Sequence, residues 1–215
     1  MSKAKKGTTP PKPPHKQNIA GETPPSPSVF KPALDLPPVP QTPPVNDGLF
    51  RKIFWGIALA LLIGMPLLST QYGITADEWG NKAYGELCLD YFTSLGEKKE
   101  ALSYAPRGGE VMYCYGPTLD LISAAIYRTT GADPYTIRHI MLSLMGVLII
   151  VFSGLTGRLV GGNWRVGLIA LLFALFSPRI FGDSMNTPKD ITFAAGYIVT
   201  ICFLIKFLQE LPSPS

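Results

Sequence analysis

Charge is what this chain has least of. Asp, Glu, Lys and Arg together make up 16% of its 215 residues, against 47% apolar residues that are bunched rather than periodic. That shortage excludes an ordinary soluble domain and points to a polytopic helical membrane protein. Histidine is scarcer still: His15 and His139 are the only two, and with three cysteines they form no metal-ligand spacing. The long apolar runs hold no ionisable residue near their middles, which argues against ion-coupled transport. The net charge of +4 is not gathered on a folded face. Eight of the nineteen basic residues fall within the first 52 positions, so a nucleic-acid partner is excluded and membrane topology explains the charge.

Proline, by contrast, is abundant at one end. Residues 1–48 hold 13 of the 21 prolines, in runs such as Pro10-Pro11-Lys12-Pro13-Pro14 and Pro37-Pro38-Val39-Pro40. A segment short of backbone donors and apolar bulk is expected to be a disordered cytoplasmic tail with polyproline II character. Its PxxP matches suit either a spacer or an adaptor-binding segment. It is not a signal peptide, because the apolar run starts too late. Residues 49–209 form the membrane module and 210–215 a short tail.

Four spans are predicted, near 53–69, 140–159, 166–181 and 191–208, each close to the roughly 20 residues a crossing requires. Basic residues set the orientation. Lys3, Lys5, Lys6, Lys12, Lys16, Lys31, Arg51 and Lys52 precede the first span, which places the amino terminus in the cytoplasm. Arg158 and Arg165, in a link free of acids, place the connection between spans two and three on the same side. Residues 70–139 then form a long outer loop of a multi-pass protein of the plasma or inner membrane. Within it, Pro117 to Tyr127 is apolar but only about 11 residues long and interrupted by Asp120, too short to cross. Leu119, Ile122 and Ile126 share a face, which predicts a helix lying in the membrane surface.

Asp77-Glu78-Trp79 stands where the first span meets water. Two carboxylates at the mouth of a lipid-facing cavity suit acid–base chemistry on a lipid-borne substrate; the plainer reading is a solvated loop pair. Cys88 and Cys114 both fall in the outer loop, where a disulfide and two separate thiols are both open, and Cys202 reads as an apolar packing residue of the fourth span.

The order of these features resembles the membrane glycosyltransferases that use polyprenyl-phosphate sugars, among them protein O-mannosyltransferases and the aminoarabinose transferase of lipid A (the C-type glycosyltransferase fold). Asp77-Glu78 looks like the first acidic motif of that family, Tyr115-Gly116-Pro117 opens the interfacial helix, and Gly131 to Arg138 looks like the element leading into span two. Asn186 to Ala194 looks like the second acidic site, with Asp190 the matching acid. The likeness covers roughly residues 50–208.

What the resemblance implies is a transferase moving a sugar from a lipid phosphate to a hydroxyl acceptor on the outer face of the bilayer. Asp77 would be the general base, with Glu78 orienting it or the acceptor and Asp190 the second catalytic acid. Arg138, Lys189 and Tyr115 would bind substrate, with the departing phosphate met by a cation; Arg107, Arg128 and Arg179 are further outer cations. Arg138 suits a head-group anchor as well, and Lys189-Asp190 suits a local ion pair. A divalent cation between Asp77 and Asp190 is conceivable, though no ligand cluster demands one. Gly116 stands where lipid A transferases carry a lysine, which weakens the case for lipid A as acceptor. The family typically has eleven or more spans, so an activity incomplete in these 215 residues, and a second chain supplying further spans, are expected. The alternative is a non-catalytic membrane scaffold or partner subunit whose proline-rich tail recruits a cytoplasmic protein.

Overall fold

A computed structural model describes residues 47–106, 109 and 111–211. The proline-rich tail up to residue 46, Arg107 and residues 212–215 lie outside the described residues. Those described are helical, with seven α-helices, short 3-10 turns and no strand. Three helices are long and apolar enough to cross a membrane: α1 (Gly48–Ser69), α4 (Pro134–Gly161) and α7 (Pro188–Glu210). A fourth crossing is supplied if α5 (Trp164–Leu175) and α6 (Pro178–Asn186) count as one bent span. The segment between α1 and α4 folds as α2 (Glu78–Thr93) and α3 (Thr118–Thr130).

Helix α4 is the central post, packed against α1, α3, α5, α6 and α7. Its 28 residues rise about 42 Å, more than the roughly 30 Å of a hydrocarbon core. It therefore begins six residues before the span predicted at 140, and sequence chemistry explains the early start. The Asp133 carboxylate accepts from the Thr136 amide at 2.7 Å, and Pro134 occupies the first helical position, where its missing N–H costs nothing. At the far end Gly162 takes a left-handed φ of 69° and its N–H closes on the Arg158 carbonyl. Asn163 then caps α5 through its side-chain oxygen, 3.1 Å from the amides of Arg165 and Val166. The resulting hairpin packs backbone close to backbone. A Cβ built on Gly157 would lie 2.6 Å from that of Ala170, so only glycine lets the two helices meet there.

The predicted third span is divided. Between α5 and α6 the axis turns by 61°. Pro178 lacks the amide that would continue α5, while Ser177 caps the new helix by accepting from the Ile180 amide. The stretch 178–190, between the third and fourth predicted spans, is accordingly almost all helix, broken only at Thr187.

One end of this bundle carries an excess of positive charge, with Arg51, Lys52, Arg158, Arg165 and Lys206 against Asp47 and Glu210. The Asp47 carboxylate accepts from the Trp164 amide at 3.0 Å, Arg165 lies over the Phe50 ring, and Gln209 donates to the Leu159 carbonyl. The starts of α1 and α5 and the ends of α4 and α7 thus share that end. Helices α2 and α3 sit at the other.

There α2 and α3 are joined by Tyr127 to Glu86 at 2.7 Å and by Arg128 to Asp90 at 2.5 Å. Their contact is close: a Cβ on Gly85 would collide with the Asp120 carbonyl. A helix forms at the predicted place, as α3, but its inward face differs from the expected one. Leu119, Asp120, Ser123, Ala124 and Tyr127 are buried, at the i, i+1, i+4, i+5, i+8 spacing of one helical stripe, while Ile122 is exposed. Leu119 packs with Leu142 and Ile191 and so leaves the bilayer-facing group to which its spacing assigned it.

Candidate functional site

Two cavities open at the α2/α3 end. The first, of about 210 Å³, is lined by Asp77, Trp79, Asn81, Met112, Tyr115 and Lys189 among others. The second, of about 430 Å³, is lined by Tyr115, Gly116, Asp120, Lys189, Asp190 and Phe193 with their neighbours. Tyr115 and Lys189 belong to both. Four of the six predicted site residues, Asp77, Tyr115, Lys189 and Asp190, therefore converge although up to 113 positions separate them.

Each is placed by its own element. Asp77 is exposed at the start of α2 and its side chain makes no capping bond, which leaves the carboxylate to the cavity. Asp190 is exposed in the first turn of α7, where the helix dipole favours a negative charge. Lys189, one residue earlier, makes no ion pair among the described residues. Its ammonium lies 3.8 Å from the centre of the Tyr115 ring and donates to the Met112 sulfur at 3.8 Å. The local Lys189-Asp190 pair left open by the sequence does not form.

The other two predicted residues lie beneath the cavities and line neither. Arg138 is fully buried, and its Nη1 donates to Asp120 at 2.5 Å. Its Nε and second Nη have no protein partner. Burial pushes the Asp120 carboxyl up, opposed by the Arg138 guanidinium and then by the Lys189 ammonium. Since Asp120 also lines the second cavity, Arg138 reaches the site through it. Glu78 is likewise buried: one carboxylate oxygen accepts from Thr75 Oγ1 at 3.0 Å, and the other lies 3.0 Å from His139 Nε2. Adjacent acids thus have opposite surroundings, Asp77 facing a cavity and Glu78 anchoring α2 to α4.

Asp120 and His139 are the residues sequence reasoning missed. The signal was an acid on the apolar stripe of α3, since a buried carboxylate requires a cationic or donor partner. Arg138 and His139, adjacent at the start of an apolar span, are the matching half.

Cys88 is buried against Tyr84, Ala101 and Met112, while Cys114 is exposed, and both are free thiols. Burial raises the Cys88 thiol, opposed by its hydrogen bond with Tyr84. Among the described residues no three His, Cys, Asp or Glu side chains are grouped as a metal site requires. Asp77 and Asp190 line different cavities, with an ammonium on the wall of both.

Comparisons with protein-family models, with curated proteins and with solved structures return no match. The described residues form an all-helical fold with three helices long and apolar enough to cross a membrane, or four if the bent pair is one span.

Proposed function

We propose that the chain takes part in transferring a sugar from a polyprenyl-phosphate donor to a hydroxyl acceptor on the outer face of the membrane. One observation carries this reading: two carboxylates, Asp77 and Asp190, line two cavities that share a single lysine, Lys189. Glycosyl transfer from a lipid phosphate needs a base for the acceptor hydroxyl and a cation for the departing phosphate. Asp77 is the base. Lys189 is the cation, held over the Tyr115 ring and in direct ion-pair contact with no carboxylate among the described residues. Asp190 and Asp120 face the second cavity, where they orient hydroxyls of the sugar or acceptor. Arg138 is a positioning residue that holds Asp120, and Glu78 one that holds the α2 terminus from which Asp77 projects.

The resemblance to polyprenyl-phosphate-sugar transferases supplies the donor class. The deciding experiment is saturable binding of a radiolabelled polyprenyl-phosphate sugar to the full chain in detergent, beside Lys189→Ala. Binding that Lys189→Ala weakens about tenfold, the worth of one charge-assisted contact, supports the transferase reading. Absence of saturable binding places the scaffold reading first.

A further inference from the structure

We infer that the basic end of the bundle holds an anionic phospholipid in the groove between α4 and α7. The groove encloses about 410 Å³. Its floor is apolar: Phe152 of α4 and Phe203 of α7 meet with ring centres 5.9 Å apart, beside Leu155. Its rim is cationic, with Arg158 from α4 and Lys206 from α7 on the same opening. One carboxylate, Glu210, shares that rim and lies 3.8 Å from Lys206, both being more than half exposed. Two cations against one acid leave the opening with a net positive charge.

Arg158 forms no ion pair among the described residues. Its guanidinium is held 4.1 Å over the Trp164 ring instead, a stack that fixes its position without neutralising it. The helix ends would ordinarily turn negative carbonyls toward this opening. Gln209 removes one of them by donating to the Leu159 carbonyl at 3.0 Å. The rim is therefore built to face a negative group.

Depth selects the kind of anion. Phe152 lies six residues before Arg158, about 9 Å deeper along the helix, which matches a phosphodiester at the rim with acyl chain on the floor. A free phosphate would use the rim and leave the floor wet. A zwitterionic head group would set its own cation against Arg158 and Lys206. Basic pockets between membrane helices at the positively charged side take anionic lipid head groups for these reasons. The site lies at the opposite end from the Asp77 and Asp190 cavities and does not depend on their role.

The test uses the full chain, delipidated in detergent, with native mass spectrometry as readout. Phosphatidylglycerol, phosphatidylcholine of the same acyl chains, and soluble glycerophosphate are titrated in turn. One phosphatidylglycerol should bind per chain, about tenfold or more tighter than phosphatidylcholine, and glycerophosphate should not bind measurably. Arg158→Gln with Lys206→Gln should lose about tenfold in phosphatidylglycerol affinity, whereas Arg51→Gln with Lys52→Gln, an equal charge loss at the same end, should lose little. Leu155→Trp, which fills the floor and keeps both cations, should weaken binding too and covers a misfolded double variant. Equal binding of the two lipids overturns the proposal. So does equal loss in the two double variants, or glycerophosphate binding as tight as the lipid.

Discussion

Arg138 and Asp120 meet at 2.5 Å, the guanidinium fully buried and the carboxylate nearly so, tying α3 onto the start of α4. The pair is the mechanical link between the surface helices and the spanning bundle. Removing one partner strands the other's charge, which costs about 3–5 kcal/mol in comparable buried pairs. Arg138→Ala is expected to lower the unfolding temperature sharply in detergent, and Asp120→Asn, which retains an acceptor oxygen, to lower it less. Equal melting of the two variants and the parent would show that the pair bears no weight.

Glu78 to His139 is a second tie, from α2 to α4. Glu78→Ala leaves a buried imidazole without its partner and should cost about 1–3 kcal/mol. Hydrogen exchange should rise along residues 78–93 while α4 and α5 keep their protection. Faster exchange throughout the chain would instead mean that Glu78 supports the whole bundle.

Gly85 lets α2 lie against the Asp120 carbonyl. Gly85→Ala must push the two helices apart, against a gain in helix propensity of about 1 kcal/mol. Net destabilisation by about 1–3 kcal/mol is expected, as for other overpacked contacts. A variant more stable than the parent, measured by thermal unfolding, would refute the close approach.

Acid should loosen the same helix pair. Burial raises Glu86, but hydrogen bonds from Lys82 and Tyr127 outweigh it and hold the carboxyl below its ordinary 4.5. The hydrogen bond from Arg128 holds Asp90 below 3.8. A carboxyl lowered in the folded state stabilises fully above its ordinary value and loses that contribution as pH falls through the folded one. The α2–α3 contact is therefore constant from neutral pH to about 5 and weakens below about 4. Tyrosine fluorescence or proteolysis of residues 78–130 across that range measures it, and loosening already at pH 6 would point to a different group.

In the proposed reaction Asp77 and Lys189 divide the work. Asp77→Asn should bind the labelled donor as the parent does and fail to transfer once an acceptor and any completing chain are supplied, by about 10²-fold or more. Lys189→Ala should lose donor affinity as well. Transfer at parental rate by Asp77→Asn would remove it from the role of base.

Much of this architecture is legible in composition. The four apolar runs each correspond to helix, because length and hydropathy are local properties. The break in the third run is also local: Ser177-Pro178 is a cap followed by a first-turn proline, a signal that apolar count alone overrides. Helix α2 is harder to read, since Glu78 to Thr93 mixes glycines, charges and aromatics and is fixed by tertiary partners. The site divides in the same way. Asp77, Tyr115, Lys189 and Asp190 come together around the two cavities, but motif order says nothing about depth. Glu78 and Arg138 are drawn inside by His139 and Asp120, 61 and 18 positions away, and such pairings leave no periodic trace.

The lysine shared by the two cavities has a consequence for binding. An anion that settles in one draws the Lys189 ammonium toward itself and withdraws that charge from the other. Occupancy on either side then changes affinity on its neighbour by the same factor, in both directions. Two anions arriving here would compete for one ammonium rather than bind independently.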